Sequence, residues 1–101
     1  MQTTLTLHRA ELTPAERDRL AEMSERLNLY FRNVMTVRWV IDRVAKMYDV
    51  TMKVHARSGY YYARTHADRA GKGIDFVFDR IVRQRRRNGR QASLLAPAAV
   101  S

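Results

Sequence analysis

The amino-acid sequence predicts a mostly α fold, a small single-domain bundle of three to five helices. Three features carry that expectation. Thr13-Pro14-Ala15-Glu16 reads as a helix start, residues 15–58 contain neither proline nor glycine, and the apolar residues from Ile74 onward share one helical face. With 101 residues the chain suffices for one compact domain and not for two. A hydrophobic fraction of 46% supplies a core of modest size and leaves little volume for a deep catalytic pocket.

Each element follows from local chemistry. Leu5 and Leu7 alternate with threonines and His8 over residues 2–9, which reads as a short strand or as part of an extended arm at 1–12. Thr13 can cap a helix, Pro14 suits its first position, and Glu16 completes a capping box. Leu20, Met23, Leu27, Tyr30, Val34, Val37, Ile41, Val44 and Tyr48 then recur at spacings of three and four. The stripe fits one long helix from Pro14 to about residue 49, packed against a partner or a second copy. It also fits two helices broken within Asn28–Thr36, and that reading is preferred because helices beyond ~20 residues are uncommon in small domains. Trp39, among Val37, Val40 and Ile41, is expected in the core.

Residues 50–67 satisfy two patterns. Val50, Met52, Val54 and Ala56, then Ser58-Gly59, then Tyr60, Tyr61 and Tyr62 read as a β-hairpin. Met52, Ala56, Tyr60, Ala63, Ala67 and Ala70 keep helical spacing, and a helix, a break at Ser58-Gly59 and a second helix are the expected form. Gly71-Lys72-Gly73 reads as a loop. Ile74, Val77, Phe78, Ile81 and Val82 line the face of a last helix, with Asp75 in its first turn and arginines in its last, ending near Asn88-Gly89. The domain therefore spans 1–90, and 91–101 forms a flexible tail.

Charge is the strongest compositional signal. The chain carries 19 Lys and Arg against 10 Asp and Glu, a net of +9. Residues 1–56 hold nine basic and seven acidic side chains, whereas residues 57–101 hold ten and three. Sixteen of the bases are arginine, whose fork suits phosphate and guanine edges. Such asymmetry favours a polyanionic partner. Arg83 to Arg90 contains five arginines and no acid, a repulsion that phosphates would relieve. A solvated helix end is the plainer explanation of the same run.

These features predict a non-enzymatic nucleic-acid-binding protein, DNA or RNA, that contacts phosphates through an arginine-rich C-terminal helix. The candidate contact residues are Arg57, Arg64, Arg69, Lys72, Arg80, Arg83, Arg86, Arg87 and Arg90, with Tyr60 or Tyr62 stacking on bases. Three consecutive tyrosines cannot all face one way, so at least one belongs to the core. Val44 to Thr51 also resembles the start of a helix-turn-helix, which would aim Lys53, His55 and Arg57 at the major groove. The pattern departs where His55 and Ser58 replace inward apolar residues. The alternative function is a helical protein–protein module using the stripe at 20–48, as a small subunit of a nucleoprotein complex or a phage-type inhibitor of one. A homodimer fits the same stripe.

Catalysis and cofactors find no pattern. There is no cysteine, which excludes disulfides, thiolate zinc sites and a cysteine nucleophile. His8, His55 and His66 lack metal-ligand spacing, so no metal is expected, and no phosphate loop or nucleophile elbow occurs. Asp75, Asp79, Glu22 and Asp42 sit at helical salt-pair spacings. Met1-Gln2-Thr3-Thr4 shows no signal-peptide onset and no apolar run approaches the ~18 residues of a membrane span, so a cytoplasmic protein with no membrane or small-molecule partner is expected.

Overall fold

The capping box at Thr13 forms as its sequence requires. Thr13 Oγ1 accepts from the Glu16 amide at 3.1 Å, and the Glu16 carboxylate accepts from the Thr13 amide at 2.9 Å. The computed structural model describes the backbone of residues 1–94 and the side chains of residues 1–85. In chain order it contains β1 (Gln2–His8), α1 (Pro14–Arg26), a 3-10 turn (Leu27–Leu29), β2 (Val34–Val44), β3 (Met47–Ala56), β4 (Gly59–Ala67) and α2 (Ala70–Leu94). The expected helical bundle is therefore overturned: the fold is α/β, a four-stranded mixed sheet with two helices.

The strands lie in the order β1-β2-β3-β4. β1 is not a free arm. It pairs parallel with β2 from Gln2 opposite Thr36 to His8 opposite Asp42, and α1 makes the crossover that a parallel pair needs. β2 with β3 and β3 with β4 are antiparallel hairpins. The segment that resembled a helix-turn-helix is the first hairpin turn and β3. Residues 50–67 take the hairpin pattern, with Gly59 at φ 138°, a conformation that L side chains rarely adopt.

The helical reading of residues 34–48 failed for a local reason. Val, Thr, Ile and Trp dominate this stretch, and β-branched and aromatic side chains favour a pleated surface. Val37, Trp39 and Ile41 point inward in strict alternation. The register slips between Val34 and Thr36, so Met35 is bulged and Val34 and Val37 both reach the core. A bulge thus imitates the i, i+3 spacing of a helix.

Both helices cover one face of the sheet. Trp39 is fully buried there and donates its indole N–H to Ser24 Oγ on α1 at 2.9 Å, while Ser24 donates to the Leu20 carbonyl at 2.9 Å. Val50, Met52 and Val54 meet Ile74, Val77 and Ile81 of α2 in the same core. A Cβ built on Gly73 would lie 2.5 Å from Val50 Cγ2, so the first turn of α2 rests directly on β3. Gly71-Lys72-Gly73 is accordingly helix and not loop, and α2 runs past Asn88-Gly89 to Leu94. The residues expected as a tail lie outside the described residues from 95 onward. Arg19 joins the helices through Asp75 at 2.8 Å, and Tyr30 meets Phe78 edge-on at 6.0 Å.

The stripe at 20–48 is largely this core. Leu20, Met23, Leu27, Val34, Val37 and Ile41 are all buried. It is not a surface for a partner helix.

Candidate nucleic-acid interface

Among the described residues, two helices on one face leave the other face of the sheet uncovered. Side chains alternate along a strand, so burying Val37, Trp39, Ile41, Val50, Met52 and Val54 turns their neighbours outward. The register aligns them in rows across the four strands. Gln2, Thr36, His55 and Tyr60 form one row, and Thr4, Arg38, Lys53 and Tyr62 the next. Thr6, Val40, Thr51 and Arg64 follow, then His8, Asp42, Asp49 and His66.

The three tyrosines divide as the alternation demands. Tyr61 is buried, its ring edge-on to Phe31 at 4.8 Å and its hydroxyl 2.7 Å from Ser58 Oγ. Tyr60 and Tyr62 stand on the open face, 75% and 50% exposed. Tyr60 stacks on His55 of β3, directly across the strand pair, with centroids 4.0 Å apart and planes 9° from parallel.

Charge pairing sorts the arginines. Arg64 Nε donates to Asp49 at 2.9 and 3.1 Å. That hydrogen bond, ahead of an opposing desolvation, holds the Asp49 carboxyl below its ordinary range and raises Arg64. Arg9 approaches Asp42 at 3.5 Å. Lys72 pairs with Asp68 at 3.2 Å and Arg83 with Asp79 at 2.9 Å, both one helical turn apart. Arg80 lies over the Phe76 ring, 5.5 Å from its centroid. Arg38, Lys53, Arg57 and Arg69 have no carboxylate partner among the described residues.

Because the Asp49 value is lower in the folded state, its pairing stabilises the fold above the unfolded carboxyl's pKa of about 4 and is lost as pH falls through the lower folded value. Thermal melts across pH 2–6 should therefore show the wild type losing stability more steeply than Asp49→Asn below about pH 4. Parallel curves would show that the contact contributes nothing.

β4 is an edge strand, and α2 closes part of that edge. The Gln84 side-chain amide accepts from the Tyr62 N–H at 3.2 Å and donates to the Tyr62 carbonyl, pairing both outward backbone groups as another strand would. Arg80 lies one turn before Gln84 on α2. The basic surface of the helix and the open face thus meet along β4.

Of the sequence-derived candidates, Tyr60, Tyr62 and Arg64 share the open face, and Arg57 sits in the β3–β4 turn, where its amide donates to the Asn33 carbonyl at 3.2 Å. Arg69 and Lys72 flank the start of α2, and Arg80 and Arg83 lie on its exposed side. Arg86, Arg87 and Arg90 fall on the α2 backbone, with side chains outside the described residues. A single helical arginine face is therefore not the whole surface. Arg38 escaped the sequence reading, and Lys53 and His55 entered it only as groove-reading residues of a helix. Their alternation with Val37, Trp39, Met52 and Val54 was the available signal. Among the described residues no group of three or more His, Asp or Glu is placed to hold a metal, and no helix is long and apolar enough to cross a membrane.

Fold and surface together define a small α/β protein with helices on one side of a sheet and a basic, aromatic face on the other. In that fold the chain is similar to a ribosomal subunit interface protein from Coxiella burnetii, with a TM-score of 0.76 at 14% identity over 89% of this chain and 99% of that one. It is also similar to the N-terminal domain of Thermus thermophilus Protein Y, with a TM-score of 0.72 at 23% identity over 82% of this chain and 92% of that one. No protein-family model matches the sequence, and no curated protein does.

Proposed function

We propose that this chain is a non-enzymatic RNA-binding protein that associates with the ribosome, in the cytoplasm and without a cofactor or small-molecule substrate. The observation that carries the reading is the match, over nearly the whole length of both chains, to a protein described as a ribosomal subunit interface protein. Chemistry on the surface supports it. A net charge of +9 suits a nucleoprotein of high phosphate density, and the open face joins cations with exposed aromatic rings. Arg57, Arg69, Arg80, Arg83 and Lys72 are the proposed phosphate contacts, with Arg86, Arg87 and Arg90 extending them along α2. The small-subunit form of the protein–protein alternative merges with this reading, since a ribosome offers both RNA and protein.

Co-sedimentation with purified ribosomal subunits across a salt series tests it. Binding should weaken steeply with salt. The Arg57→Ala, Arg80→Ala, Arg83→Ala variant should lower the slope of log affinity against log salt by about 2–3, one counterion release per lost phosphate contact. No co-sedimentation at low salt would sink the proposal, and tighter binding to duplex DNA than to ribosomal particles would redirect it.

A further inference from the structure

We propose that the open sheet face carries a platform for unpaired RNA, on which Tyr60 and Tyr62 each stack one base while Arg38 and Lys53 hold the phosphate between them. The inference rests on the RNA-binding reading and names the site and the form of RNA it takes.

Geometry selects a single strand. Tyr60 and Tyr62 are two residues apart on β4, so their positions are separated by about 6.8 Å. That is twice the ~3.4 Å rise between stacked bases in a helical strand. A duplex cannot present two base faces at this spacing, because its bases are stacked on each other. A stretched strand with splayed bases can.

One ring is held in advance, Tyr60 against the His55 imidazole at 4.0 Å, and Gln84 pins the backbone from which the Tyr62 ring projects. Less ordering is then left to oppose binding at Tyr60. The rings are 75% and 50% exposed, because the strand alternation that buries Tyr61 turns both of its neighbours outward.

Charge completes the site. Lys53 is the direct cross-strand neighbour of Tyr62, and Arg38 is the next residue in that row. Neither has a carboxylate partner among the described residues. The two acids of the open face, Asp42 and Asp49, lie two rows away and face Arg9 and Arg64. An anion next to Tyr62 therefore meets unspent positive charge.

The test compares binding of the full chain to a labelled oligouridylate of about eight nucleotides with binding to an RNA duplex. The wild type should prefer the single strand. Tyr60→Ala with Tyr62→Ala should weaken that binding by about tenfold or more and leave duplex affinity and salt slope unchanged, because rings release no counterions. Tyr60→Phe with Tyr62→Phe should bind like wild type, which separates lost stacking from lost fold. Arg38→Gln with Lys53→Gln should reduce the salt slope by about 0.7, the release that goes with one phosphate contact on a single strand. Wild-type affinity in the alanine pair, or a wild-type preference for duplex, overturns the platform. Subunit co-sedimentation that depends on the tyrosines without any oligouridylate binding would assign the face to a ribosomal protein, and also overturns it. Oligouridylate binding without co-sedimentation would instead defeat the ribosome reading and leave the platform standing.

Discussion

Trp39→Ala should cost about 3–5 kcal/mol of folding stability, the largest single-residue effect in this chain. The indole is wholly buried between α1 and the sheet, with Met52 opposite it on one side and Leu5 on the other. Its removal leaves a cavity that α1 can close only in part, because Leu20, Met23 and Leu27 are already packed in the same core. A domain of this size has only about 5–15 kcal/mol to lose, so urea unfolding should shift to a much lower midpoint. The polar end of the ring gives a finer check. Ser24→Ala strands the indole N–H without an acceptor and should cost about 1–3 kcal/mol. Combined with Trp39→Phe, the same change should cost less than the two single losses added, since neither partner is then left unsatisfied. A Trp39→Ala protein as stable as wild type would mean that the core is misplaced.

Gly73→Val should cost about 3 kcal/mol, although valine is the better helix former. The added Cβ would sit 2.5 Å from Val50 Cγ2 and 3.0 Å from Val50 Cβ. Val50 is fully buried and stiff at χ1, and since its Cβ as well as its Cγ2 lies close to the added atom, a change of rotamer alone would not clear the contact. Ala70 and Ile74 are packed in the same stretch of α2, so the helix cannot lift without exposing them. Gly71 lies two residues earlier with nothing within 4 Å of its built Cβ. Gly71→Ala should therefore stabilise the protein by up to about 1 kcal/mol. Thermal and urea unfolding of the two variants should move in opposite directions. Gly73→Ala paired with Val50→Ala should be more stable than the single losses summed, because the smaller residue opposite relieves the clash. Equal and small effects at Gly71 and Gly73 would refute the close approach of α2 to β3.

The part of the fold legible in the sequence was the part governed by neighbours in the chain. Thr13, Pro14 and Glu16 set the start of α1 by hydrogen bonds within four residues. Leu5 and Leu7 marked β1 by alternation, and Ile74, Val77, Ile81 and Val82 marked the inner face of α2. The strand from Val34 to Val44 was misread because the Met35 bulge, together with a sheet-period run at Val37, Trp39 and Ile41, reproduces spacings of three and four. At residues 50–67 the hairpin pattern was legible beside a helical spacing that was preferred to it. Periodicity alone does not separate those cases. β-branched composition favoured the strand, and sheet pairing with β1 and β4 decided it.

The candidate interface divides along the same line. Composition alone determined that the chain is basic, arginine-rich and free of cysteine, because net charge does not depend on folding. Only the tertiary structure decided which charges are available. It paired Arg64 with Asp49, brought Arg38 of β2 beside Lys53 of β3, and laid Gln84 of α2 against Tyr62. It also turned Tyr61 inward and left Tyr60 and Tyr62 outside. These contacts join residues from separate elements, and strand register and helix placement set them. A linear pattern records which residues are present, and the packed sheet determines which of them meet.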